Sequence, residues 1–436
     1  MLTTKKTAAD TRWFTHDRFG MFIHWGLYSM AARHEWVRHN EQIPNEVYDG
    51  KYFKRFDPDL YDPTAWAKAA SAAGMKYFVI TTKHHEGFCL WDTKLTDYKS
   101  TNTPAKRDLL RPMIDAFRKE GIRVGLYHSL IDWHHPDYVI DPHNGPYREG
   151  DRAKLNQGRD QARYAEYLRG QVRELLTVFG DIDILWFDFS YPKEDGSGKG
   201  RTDWQSEQLL KMIRELRPDI ILNDRIDLPG SWDVKTPEQF QPRAWVTVDG
   251  EPVVWEACQT FSGSWGYNRD ESSWRSAEQL VHMLIDTVSK GGNLLLNVGP
   301  TARGEFDDRA LSRLSQVGAW MRRHSRSIYG CTQAPAGCIA PEGSRLTYNA
   351  ETNRLYIHLL AWPFLPHLHL EGFAGKIEYA QLLNDGSEIR LDKGLEAWMS
   401  HDTTAPGLLT VQVPIQKPEV TVPVIELFLK DGAFTG

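Results

Sequence analysis

Short apolar runs alternate with amphipathic stretches from residue 19 to about residue 320. The runs Phe19–Trp25, Lys76–Thr82, Ile122–Ser129, Ile182–Phe189, Ile220–Asn223, Val253–Thr260 and Asn293–Val298 have the length and composition of strands. Between them the period changes. In Arg107–Glu120 the apolar residues Leu109, Leu110, Met113, Ile114 and Phe117 recur at helical spacing until Gly121 stops the pattern. Leu168–Phe179, Leu209–Leu216, Ala277–Ser289 and Arg309–Arg322 follow the same rule. Strand and helix in alternation predict a parallel α/β domain, and near-continuous apolar strands such as Lys76–Thr82 predict a sheet covered on both faces. No Gly-x-Gly-x-x-Gly follows any of these strands, so an irregular (β/α)8-like barrel over residues 1–330 is preferred to an open doubly wound sheet.

After Gly330 the pattern shortens. Leu355–Leu360, Lys376–Leu382 and Leu408–Val413 are brief β-rich segments between turns, and residues 331–436 are expected to form a C-terminal β-sandwich. Within the barrel stretch, Lys193–Thr202 and Ile226–Glu251 are polar and interrupted by Gly or Pro, as functional loops commonly are.

Composition narrows the classes. The chain has 436 residues, 52 basic and 58 acidic side chains and a net charge of −6, which gives no electrostatic footprint for nucleic acid. No apolar run is long enough to span a membrane. The first eleven residues carry lysines without an apolar core, so no secretory signal is expected and the cytoplasm is the expected compartment. Four scattered cysteines provide neither a disulfide framework nor a zinc site. The excess is aromatic, with 16 Trp and 17 Tyr. Flat rings build cores, and they also stack on the apolar faces of sugars.

Candidate chemistry sits at the carboxyl ends of the predicted strands, where barrel enzymes place it. These ends are His24-Trp25, His84-His85-Glu86, Tyr127-His128, Trp186-Phe187-Asp188, Asn223-Asp224-Arg225 and Trp255-Glu256. Any one of them could be a cap or a salt bridge. Six together point to a site, and folding alone gives no reason to end Ile184–Asp188 on a carboxylate. A metal is disfavoured: neighbours on a strand face opposite ways, so His84 and His85 would need a bend to share an ion, and no His-Glu-x-x-His helix is present. Neither a serine elbow nor a phosphate loop is found, so neither cofactor nor metal is expected. Paired carboxylates with tryptophans beside them fit glycoside hydrolysis.

At these residues the chain resembles glycoside hydrolase family 29, the α-L-fucosidases. The resemblance rests on Phe19–Tyr28, Glu35-Trp36, Lys83–Phe88, Lys106–Leu109, Gly125–Tyr127, Asp132-Trp133, Leu185–Asp188, Asn223–Arg225, Trp255-Glu256, Ser264–Asn268 and Asn293–Pro300. It implies an exo-acting retaining enzyme with a fucosylated oligosaccharide or glycoside as substrate. Asp188 matches the family's nucleophile, and Glu256 matches the acid/base position in part of the family. Glu251 competes with Glu256 for that role, and Glu35 does so more weakly. His24, Glu35, Trp36, His84, His85, Tyr127, Trp186 and Arg225 match residues that hold the fucosyl ring. Val37 and His128 depart from the family pattern at the rim. The alternatives are a fucose-binding, lectin-like protein on an inactive barrel and a metal-dependent barrel hydrolase.

Overall fold

The computed structural model describes residues 4–147, 150–392 and 407–434. Seven parallel strands form the central sheet: β1 (Phe19–Ile23), β2 (Tyr77–Lys83), β3 (Arg123–Ser129), β4 (Ile184–Asp188), β5 (Ile221–Leu222), β6 (Glu256–Thr260) and β7 (Asn293–Val298). Their order is β5-β4-β3-β2-β1-β7-β6. The strands β1, β2, β6 and β7 are buried at every position, as expected where one face meets helices and the other meets the barrel interior.

The gap between β5 and β6 is filled by residues 233–239, in the stretch expected to be loop. Asp233 and Val234 donate to Leu222 O, Lys235 donates to Val254 O, and Lys235 O accepts from Glu256 N. Higher up, Pro237 O accepts from Cys258 N, and Gln239 N donates to Cys258 O. The bridges Asn223–Val234, Lys235–Trp255 and Glu238–Cys258 are all parallel, so this segment is an eighth, irregular strand. Followed from Gly20 in one direction, the register reaches residue 230; in the other it reaches Glu238. That offset of about eight residues is the shear of a closed (β/α)8 barrel.

The surrounding helices include α1 (Pro63–Ala72), α2 (Leu110–Lys119), α3 (Gln161–Val178), α4 (Ser206–Leu216), α5 (Ala277–Val288) and α6 (Asp308–His324). Their boundaries follow from capping. Asp62, Asp160, Ser276 and Asp307 accept backbone N–H groups at the starts of α1, α3, α5 and α6. Helix α2 starts later than its apolar pattern because the Asp108 carboxylate takes the amides of Leu110 and Arg111. Its inner face, Leu110, Met113, Ile114 and Phe117, is fully buried, with Phe117 stacked on Phe78 of β2.

Beyond α6 lies a β domain in which a five-stranded and a three-stranded antiparallel sheet share a core of Leu346, Leu355, Ile357, Leu370, Val411 and Leu427. Of the expected span 331–436, residues 393–406, 435 and 436 lie outside the described residues. Arg18 Nε donates to Cys331 O, Trp320 Nε1 to Val422 O and Thr347 Oγ1 to Ser327 O, tying this domain to the barrel.

Candidate active site

One narrow cavity of about 100 Å3 opens at the carboxyl ends of the strands. Its wall comprises His24, Trp36, His84, His85, Tyr127, Trp186, Asp188 and Arg225, eight of the ten residues singled out from sequence. Phe22, Phe189, Glu238, Cys258 and Trp265 complete it.

Asp188 is the last residue of β4, and its side chain is only 14% exposed. Tyr127 O–H donates to Oδ2 at 2.9 Å, Arg225 reaches Oδ1 at 3.2 Å, and His85 Nε2 lies 3.7 Å from Oδ2. Burial pushes the carboxyl up to about 6, against the pull of Arg225 and with a push from Glu238. The next residue, Phe189, has φ +79°, a left-handed conformation that bulky side chains avoid. The turn this makes leaves the Phe189 ring against Trp36 and His85 at the cavity wall.

The histidines are neutral. Burial drives His24 down to about 3 and His84 and His85 well below the ordinary imidazole range. Their tautomers follow from their partners. Asn297 Nδ2 donates to Trp265 O at 2.6 Å, so Asn297 Oδ1 is the acceptor for His24 Nδ1 at 2.7 Å. Ser129 Oγ donates to Ile131 O and therefore accepts from His85 Nδ1 at 2.7 Å. Both rings keep a lone pair on Nε2, ready to accept a hydroxyl proton. His84 Nδ1 is buried without a hydrogen-bond partner. His84 and His85 share the cavity because β2 ends at Lys83 and the chain turns there, with Gly87 N donating to His84 O; the expected opposite-facing geometry of a strand does not apply.

Arg225 lies with its guanidinium 5.1 Å over the Trp186 ring, and Nε donates to Thr236 Oγ1. Its NH2 group donates to Thr236 O and to Glu238 Oε2 at 3.0 Å. One guanidinium thus holds both Asp188 and Glu238. Glu238 stands near the top of the eighth strand, 39% exposed, at the height of Asp188 once the strand tilt is allowed for. The sequence missed it because Asp233–Gln239 contains one aliphatic residue and a proline, and no periodicity marks it as strand.

Two expected residues lie elsewhere. Glu35 is buried beside the cavity wall and accepts from Gly266 N at 2.7 Å. Glu256 requires a correction. It is the first residue of β6, opposite Asn293 at the amino end of β7, and the ladder continues to Thr260 opposite Asn297. Its carboxylate is 2% exposed, accepts from Tyr77 O–H at 2.6 Å, and lies about 8–10 Å below the ring of Asp188 and Glu238. A leaving group at the mouth is out of its reach. Glu251 is further still, on a surface hairpin at the amino end, where Pro252 O meets Lys5 N. Glu86 is buried and braces the site from behind, accepting from Leu27 N and Tyr48 O–H.

A closed (β/α)8 barrel with two carboxylates, a shared guanidinium, neutral imidazoles and stacked aromatics at its mouth defines a glycoside hydrolase. The α-L-fucosidase family model matches residues 2–326, and the chain belongs to that family, glycoside hydrolase family 29. It is 27% identical to an α-L-fucosidase of Dictyostelium discoideum over 95% of this chain and 91% of that one. It is 30% identical to the tissue α-L-fucosidase of Bos taurus over 80% and 75% of the two chains. Among solved structures, α-L-fucosidase isoenzyme 1 from Paenibacillus thiaminolyticus superposes with a TM-score of 0.89 at 47% identity, covering 97% of this chain and 99% of that one. A family 29 enzyme from Bacteroides thetaiotaomicron, solved as a trapped covalent intermediate with 2-fluoro-fucosyl fluoride, superposes at 0.83 with 27% identity and 98% of each chain covered.

Proposed function

We propose that this retaining α-L-fucosidase uses Asp188 as nucleophile and Glu238 as acid/base, removing one terminal fucosyl residue at a time. The observation that carries the reading is the pair of carboxylates joined through Arg225 at the cavity mouth. Asp188, fixed by Tyr127 and Arg225, attacks the anomeric carbon. Glu238 protonates the departing glycosidic oxygen and then takes a proton from the water that releases fucose. Arg225 offsets charge on both carboxylates. His24 and His85 accept sugar hydroxyls through Nε2, Trp36 and Phe189 wall the ring, and Trp186 floors it. A narrow cavity closed below by Trp186 admits a chain end and excludes internal residues, which makes the enzyme exo-acting.

The test is hydrolysis of an aryl α-L-fucoside with the first-formed anomer followed by NMR. The expected product has the anomeric configuration of the substrate, and its inverted partner as first product would overturn double displacement. A linkage panel of fucosylated oligosaccharides then defines the preferred aglycone.

A further inference from the structure

The polar stretch Lys193–Thr202 follows closely on Asp188, and it folds back onto the chain leaving β4. Tyr191 N donates to Lys199 O at 2.8 Å, and the two residues form an antiparallel bridge. Against this bridge packs Asp141, from the segment after β3 and only 5% exposed. Tyr191 O–H donates to Asp141 Oδ2 at 2.5 Å, and the buried Lys199 Nζ lies 3.9 Å from the same oxygen. Asp141 Oδ1 accepts from His143 N and Asn144 N. With its own proton committed to Asp141, the Tyr191 oxygen accepts from Tyr138 O–H at 3.3 Å. The segment carrying Asp141 is fixed in turn. The Asn156 side chain exchanges two hydrogen bonds with the Ile140 backbone, and Gly145 N donates to His39 Nδ1.

This cluster borders the left-handed turn at Phe189. A non-glycine residue stays at φ +79° only where its neighbours over-determine it. On one side the ladder fixes Asp188, whose carbonyl accepts from Leu130 N at 3.1 Å. On the other, Ser190 Oγ donates to Arg225 O at 2.7 Å, and Tyr191 is tied to Asp141. The Tyr191 ring also meets Phe189 edge-on, with centroids 5.3 Å apart. Phe189 in turn meets His85 at 5.0 Å and Trp36 at 5.1 Å. Phe189 belongs to the cavity wall, and Tyr191 and Asp141 stand behind it.

We infer that Asp141, acting through Tyr191, is a positioning residue that holds the Phe189 wall against the bound sugar. This rests on the fucosidase reading of the site. Without the Tyr191 anchor the turn can relax and carry the Phe189 ring away from the sugar. Asp188 stays in place, held by its ladder, Tyr127 and Arg225. A loosened wall weakens substrate and transition state alike. The loss then falls on KM, with kcat little changed.

The experiment compares Tyr191→Phe, Phe189→Ala and the double variant on an aryl α-L-fucoside, reading kcat, KM, the inhibition constant of free fucose and Tm. Tyr191→Phe is expected to raise KM and the fucose inhibition constant together, each about tenfold, with kcat within about twofold; that is the scale of one hydrogen bond to a charged group. A bond that served folding alone would lower Tm and leave both constants in place. Because the effect runs through Phe189, adding Tyr191→Phe to Phe189→Ala should raise KM by less than about twofold more. An unchanged KM in folded Tyr191→Phe overturns the inference, and so does a full further rise in the double variant. If Tyr191→Phe does not fold, Asp141→Asn, which removes the charge that Tyr191 donates to, is read by the same cycle. An unmodified chain inactive on every fucoside would instead refute the underlying functional reading.

Discussion

Strand β4 and the segment 233–239 each bring a carboxylate to the same rim, by different means. Strand β4 is regular, hydrogen-bonded on both sides and buried, and it ends in an Asp188 held by Tyr127 and Arg225. The segment is polar and carries a proline. It is tied down by scattered bridges, with Glu238 more than twice as exposed as Asp188. The division suits the two proposed roles. A nucleophile must meet one carbon within tenths of an ångström, so it belongs on the stiffest element. An acid/base must serve leaving groups of different shape and then a water molecule, so a more open position is an advantage.

The largest expected effect tests the rigid side. Asp188→Ala should lower kcat by several powers of ten on every fucoside, with folding intact and part of the activity restored by azide. Activity within tenfold of the unmodified chain would remove Asp188 from the mechanism.

Glu238→Ala should cost about 10²–10⁴ in rate on natural fucosyl-sugars and far less on a fucoside with an acidic phenol. Rate against leaving-group acidity measures it. The same dependence in Glu256→Ala and not in Glu238→Ala would reverse the assignment.

The anchoring of the segment can be tested apart from its chemistry. Asp233 is fully buried, and its carboxylate accepts from Ala8 N, Ala9 N, Leu222 N and Arg214 NH2. Asp233→Ala strands these donors and should cost about 3–5 kcal/mol, read as a lowered Tm. A Tm equal to that of the unmodified chain would mean that the eighth strand is held by its ladder alone.

The smallest effect concerns pH. Burial pushes the Asp188 carboxyl up to about 6, against the pull of Arg225. As the nucleophile works ionised, the acid limb of kcat/KM should fall near pH 6. In Arg225→Met it should move upward by about one unit or more, because the cation favouring the anion is gone. A downward shift would show that Arg225 does not act on Asp188.

Most of the barrel was legible because its strands are apolar and its helices amphipathic; Asn293–Val298 was bounded to the residue, and β1 to β4 within two residues at either end. The cavity wall was legible where it lies at or just past a recognisable strand end, as for Asp188, His84, His85 and Arg225. Glu238 was not, because hydrogen bonds to β5 and β6 make residues 233–239 a strand while its own sequence reads as loop. Glu256 shows the converse failure. The motif Trp255-Glu256 was visible, but which end of the strand it occupies depends on a register that only the folded ladder fixes. The segment resembled a loop for the same reason that it can tolerate the proline: it has few ladder bonds to lose.

The seam in the barrel wall also governs how the molecule breathes. The seven residues that close the cylinder contribute little to the apolar core, Val234 being their one fully buried aliphatic side chain. Amide protons along 233–239 should therefore exchange with solvent ahead of those in β1 to β4, through openings too local to unfold the barrel. An opening there would move Glu238 and leave Asp188 in place, so excursions of the wall would interrupt the proposed proton transfer while sparing the alignment of Asp188.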